Sequence, residues 1–227
     1  MFRFTSHIRV CFLTTVVVTF IGLFGCSEDS VTPIEKQPPG LPAATTPDTV
    51  VINLIKVYTE RNFNDYRSLL DTNFLSVISP EAKYVWSRCG VVVEEDHFDR
   101  TADIEIHRKL FSGEAGRYCA QQIDPIVETN CWEFERLTEW TPISQEDVPF
   151  AGQEGMWAKY TLSMVFKESD NANWSVDQTI DFFVKPFEDN GETKWKLLGT
   201  RHFGPTLLEG DKSTSTTLSM VKLLYRT

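Results

Sequence analysis

The stretch Met156 to Lys167, MWAKYTLSMVFK, alternates without a break. Met156, Ala158, Tyr160, Leu162, Met164 and Phe166 fall on one side, and Trp157, Lys159, Thr161, Ser163 and Lys167 on the other. Successive side chains of a strand point to opposite faces, so this period of two predicts a strand with one face in a core. Trp174 to Lys185 and Lys194 to Phe203 continue the series, joined by a turn over Glu188 to Gly191 whose Asn190-Gly191 pair favours a tight hairpin. Upstream, Cys131 to Trp140 sets Trp132, Phe134, Arg136, Thr138 and Trp140 against Glu133, Glu135 and Glu139.

Working back toward the N-terminus, the period changes. Thr46 is suited to cap a helix, Pro47 to its first position and Asp48 to its positive end, and Val50, Val51, Leu54, Ile55, Val57 and Tyr58 recur at helical spacing. A short second helix is expected from about Asn64 to Leu70, then a strand over Phe74 to Ile78. Another helix, capped by Asp99 or Thr101, runs through Ile104, Ile106, Leu110 and Phe111 and stops at Gly113. Ser79 to Phe98 follows neither period. Helices first and antiparallel strands after them predict an α+β domain over residues 47–204, with the helices on one face of a curved antiparallel sheet. In the remaining tail, 205–227, Leu218, Val221, Leu224 and Tyr225 stand at helical spacing and form a short segment able to dock on the sheet or to fray.

The first residues belong to another physical regime. Arg3 and Arg9 are followed by VCFLTTVVVTFIGLF, Val10 to Phe24, an uncharged run about a turn short of the roughly 20 residues that span a bilayer. Leu23-Phe24-Gly25-Cys26 closes it and resembles the bacterial lipobox, which implies that residues 1–25 are a removable leader and that Cys26 carries lipid. The resemblance to Gram-negative lipoproteins further implies sorting by the next residue. Ser27, which is not Asp, directs the expectation to the cell envelope, on the periplasmic face of the outer membrane. Residues 26–46 include SEDSVTPIEKQPPGLPAATT, too poor in apolar side chains to build a core. Extended at near 3.1 Å per residue, such a tether reaches roughly 60 Å from the lipid.

Of the 22 basic residues, Arg3 and Arg9 leave with the leader, which takes the formal charge from −10 to −12. Such a surface repels phosphate backbones, so no nucleic-acid partner is expected. There is no Cys-x-x-Cys, no His-Glu-x-x-His, no calcium loop, no phosphate-binding glycine loop and no nucleophile elbow, and neither a metal nor a cofactor is expected. Beyond Cys26, the mature chain carries Cys89, Cys119 and Cys131. Cys119 and Cys131 lie in or beside adjacent strands that could form a hairpin, which makes them the expected disulfide; the alternative is packed, unpaired thiols. Arg136, Tyr160, Gln178 and Arg201 are polar groups on otherwise apolar strand faces. A polar group turned into a core must be partnered or line a wet cavity, so these four either mark a pocket or pair with acidic neighbours.

The helix carrying Tyr58 to Tyr66, the sequel Leu69-Leu70-Asp71 into Phe74, and the long hairpins ending in Trp195 to Leu198 resemble the nuclear-transport-factor-2-like superfamily, which includes ketosteroid isomerase and polyketide cyclases. The likeness spans roughly Pro47 to Phe203 and extends to envelope lipoproteins with such a domain behind a Pro-rich tether. It implies a cone-like roll. No position matches the superfamily's catalytic groups, so no catalytic residue is carried over. The expectation is a non-enzymatic, lipid-anchored module that binds a small apolar or amphipathic molecule or docks a partner, either an envelope protein or a second copy. The alternative is an isomerase, dehydratase or cyclase using Tyr160 or Gln178 as hydrogen-bond donor.

Overall fold

A computed structural model describes residues 40–170, 172–204 and 216–226. Cys26 and the leader lie outside the described residues, as does most of the tether. Helix α1 (Pro47–Glu60) starts where Thr46 accepts the Thr49 amide and ends at Arg61, whose left-handed backbone closes the last turn. Asn62 caps α2 (Phe63–Leu69), which runs straight into β1 (Leu70–Val77). The aperiodic stretch after β1 holds α3 (Pro80–Ser87), capped by Ser79, and the short strand β2 (His97–Asp99). Asp99 caps α4 (Arg100–Ser112), and Gly113 stops it with φ of 77°. Then come the small hairpin β3 (Gly116–Tyr118) and β4 (Gln121–Ile123), followed by β5 (Ile126–Arg136) and β6 (Thr141–Pro142). The long strands β7 (Met156–Glu168), β8 (Asn173–Asp189) and β9 (Glu192–Phe203) precede the terminal helix α5 (Leu218–Leu223).

The fold is α+β. The main sheet runs β2-β1-β9-β8-β7-β5, with β6 on β7. It is mixed rather than antiparallel, because β1 lies parallel to β9 while the other neighbours are antiparallel. Tight turns can only build antiparallel pairs, and the β1–β9 pair is instead brought together across most of the domain.

One face of the sheet buries Tyr160, Leu162, Met164 and Phe166 of β7 and Val176, Ile180, Phe182 and Val184 of β8 against α1, α4 and α5. The reverse face carries a second cluster of Phe150, Phe183 and Leu198. Phe150 comes from the acidic loop between β6 and β7, and its ring stacks on Phe183 with centroids 4.0 Å apart. That loop therefore covers part of the reverse face of the sheet. A Cβ on Gly199 would overlap both the Phe150 ring and the Leu75 carbonyl, so the close approach of loop, β1 and β9 requires glycine there. Among the described residues, no helix is long and apolar enough to cross a membrane.

Candidate functional site

The chemistry-bearing side chains gather between α1, α4, α5 and the sheet. Asp103 and His107 lie one turn apart on α4, on the face that also buries Ile106, Leu110 and Phe111, so the helix that supplies core contacts delivers a carboxylate and an imidazole with them. Lys222 of α5 reaches in and places its ammonium 2.6 Å from Asp103 Oδ1 and 2.8 Å from Ser76 Oγ. Tyr66 donates to Asp103 Oδ2. The Tyr58 hydroxyl lies 2.5 Å from His107 Nε2, and His107 Nδ1 lies 2.7 Å from the Asp103 carbonyl. A second branch runs from Ser76 to Thr200 and His202, and Gln178 Nε2 closes it at 3.3 Å from His202 Nδ1. Asp103 and His107 are 0% exposed and Lys222 is 2% exposed.

Burial alone would push the Asp103 carboxyl up, but the Lys222 ammonium and the His107 ring outweigh it and hold the group well below the usual carboxylate range. Burial lowers His107, with Asp103 opposing, and lowers His202 strongly, helped by Lys222. Burial and the Asp103 charge raise both Tyr58 and Tyr66 far above the ordinary phenol value. The closed cluster is thus an ion pair, neutral imidazoles and neutral phenols, with its carboxylate held by the chain's own cation.

The four polar residues singled out from the sequence do not form one pocket. Arg136 and Tyr160 converge on Asp48 in the first turn of α1: Arg136 Nη1 lies 3.0 Å from Oδ2, and the Tyr160 hydroxyl donates to Oδ1 at 2.7 Å. With Trp140, which donates to the same carboxylate at 3.2 Å, they pin the start of α1 to the sheet. Gln178 belongs to the sealed cluster, where its Oε1 also accepts the Leu218 amide at 3.1 Å. Arg201 is turned to the opposite side of the sheet, donating to Asp181 Oδ2 at 3.0 and 2.7 Å and stacking near Phe183 and Phe203. It is a structural cation there. Arg201→Ala removes both hydrogen bonds to the buried Asp181 and leaves it only Lys159, 3.8 Å away, and is expected to lower unfolding stability by about 2 kcal/mol, measured by urea denaturation.

The cysteines also differ from the expected arrangement. Cys89, just after α3, bonds Cys119 in the turn between β3 and β4, and Cys131 is a free thiol. Cys119 and Cys131 cannot pair as a hairpin, because β5 runs against β7 while the Cys119 turn belongs to the separate two-stranded sheet. The disulfide has a clear mechanical setting. Ser79, at the start of α3, contacts Thr217 and Ser219 at the start of α5, and the Arg117 amide of β3 donates to the Leu224 carbonyl at its end at 2.8 Å. Cys89–Cys119 joins the two elements that grip α5 and closes a clasp around it.

An open cleft of about 640 Å³ lies where β1, β9 and β2 end beside the loop before β7. Val77, Ile78, Pro80, Val148, Pro149 and Phe203 make it largely apolar, and Glu81, Asp96, His97 and Arg201 supply its polar groups. Val148 is 67% exposed, an apolar side chain offered directly to solvent. Among the described residues, no group of three or more His, Cys, Asp and Glu side chains is placed to hold a metal ion.

No family model matches the chain. A search of the curated proteins finds no relative either.

Proposed function

We propose that the chain is a lipid-anchored cell-envelope protein whose domain, of the cone-like nuclear-transport-factor-2-like kind, is a non-enzymatic binding module working through the open cleft beside β1 and β9. One observation carries this reading: the interior carboxylate, Asp103, is held by Lys222 of the same chain, whereas the cleft at the ends of β1 and β9 is lined largely by apolar side chains, with Val148 offered to solvent. A volume of this size suits a small amphipathic molecule or an apolar side chain of a partner. Lipid on Cys26 and the Pro-rich tether would present that cleft at the periplasmic face of the outer membrane.

The cleft is tested with N-phenylnaphthylamine, an uncharged apolar dye that fluoresces on leaving water. Saturable one-to-one binding is expected, lost in Val148→Asp with the melting temperature unchanged. Equal binding by that variant sinks the cleft. The anchor is tested separately by Cys26→Ser, which should abolish both the lipid mass and the mature, membrane-retained product; recovery of that same product would overturn the anchor.

An isomerase, dehydratase or cyclase is the second reading, favoured by the grouping of Asp103, His107, Tyr58 and Tyr66. It requires substrate to reach a fully buried carboxylate whose two oxygens already accept from Lys222 and Tyr66. Turnover of an enone or hydroxy-ketone probe that disappears in Asp103→Asn would establish it over the binding module.

A further inference from the structure

The cleft does not end at His97. A second cleft of about 560 Å³ begins at Asp96 and His97 and continues along β2 and α4. The two clefts share those lining residues, flank the start of β2, and together are called the groove below. Among the described residues strand β2 is terminal in the sheet order, with β1 as its one strand neighbour, so the groove runs beside a strand that can accept another. The opposite terminal strand, β5, is a poorer acceptor because two register shifts interrupt it.

The charge along the groove selects the occupant. Glu81 lines the first cleft, Asp96 both, and Glu95, Asp99 and Glu105 the second. The cations nearby are committed to neighbouring carboxylates: Arg201 to Asp181, Arg108 and Lys109 to Glu105, Lys83 to Asp96, and Arg226 to Glu95. The last two pairs are solvent-facing, with the Asp96 side chain 88% exposed. Exposed pairs hold weakly, so an incoming cation displaces them at little cost. A second copy of this acidic chain is disfavoured at the same margin by like charge.

Resting on the binding-module reading, we infer that the groove docks an extended segment of a partner protein in which lysine or arginine alternates with apolar residues. Its backbone adds to β2. Its cations face Glu95, Asp96 and Asp99, and an apolar side chain enters the end lined by Val77, Ile78 and Phe203.

The probe is a synthetic peptide of alternating valine and lysine, about eight residues long, the length of an ordinary strand. With the folded mature protein we expect saturable binding that weakens with salt, slowed amide exchange at His97–Asp99, and at least a tenfold loss of affinity in Glu81→Lys/Asp96→Lys. Amide exchange on the wild-type protein locates the peptide even if the double variant misfolds. Equal binding of a valine–glutamate peptide, protection at β5 instead of β2, or unchanged affinity in a folded double variant would each overturn the proposal. If the naphthalene probe still binds the wild-type protein and loses affinity in Val148→Asp, the cleft stands and only the peptide assignment fails. Absence of both probes from the wild-type protein fails the underlying reading as well.

Discussion

Removing residues 216–227 is expected to leave no cooperatively folded domain. Leu218, Met220, Val221, Leu223, Leu224 and Tyr225 are all buried in the main core. At about 1.5–3 kcal/mol for each large side chain returned to water, the loss approaches or exceeds the roughly 5–15 kcal/mol that stabilises a whole domain. The same deletion removes Lys222 and strands Asp103. A sigmoidal urea transition is expected from the full domain and a gradual, non-cooperative one from the truncated chain; a shortened chain with a sharp transition would show α5 to be an accessory.

Lys222→Met isolates the charge from the packing. The methionine keeps most of the apolar stem, so the change chiefly deprives a buried carboxylate of its cation, a loss of about 3–5 kcal/mol. Lys222→Met/Asp103→Asn should recover at least half of it, since removing both charges ends the need to neutralise either. The pH dependence has a defined sign. In the wild-type protein Asp103 titrates below its unfolded value, so its contribution is present above the ordinary carboxylate range and is lost as pH falls through it. Without the ammonium, burial raises the Asp103 carboxyl, the folded state binds the extra proton, and acid favours folding of the variant. The stability gap between the two proteins should therefore narrow from pH 7 to pH 5 in paired denaturation curves. A constant or widening gap would show that Asp103 remains ionised without Lys222.

The period-two alternation of Met156 to Lys167 and its neighbours, with the helical spacing before it, is enough to read the α+β class. The capping residues Thr46 and Asp99 with Gly113 located two helices, because these signals are local. Pairing is not local. Nothing in β1 or β9 alone announces that they lie parallel, and the Cys89–Cys119 bond depends on α3 and a hairpin whose residues show no clean period. Arg136, Tyr160, Gln178 and Arg201 stand out in the sequence as polar groups on apolar faces, but Asp48, His202 and Asp181, which they contact, lie 20 or more residues away, so one pocket and separate contacts look alike.

The sealed cluster left a fainter trace. Asp103 and His107 fall on the apolar stripe of α4, and Lys222 interrupts the apolar run Leu218 to Leu224. Each is a charge-bearing residue at a core position, and reading those violations together would have suggested an ion pair. What hid it was the separation of 119 residues between carboxylate and ammonium.

That separation gives the domain a schedule. During synthesis the acid of the core emerges long before its cation, and every strand of the main sheet is made before α5. A nascent chain that already contains the whole sheet still lacks both the cation that pairs with Asp103 and the apolar side chains of α5 that complete the core. The native core is closed by nearly the last residues made, like an arch that waits for its keystone.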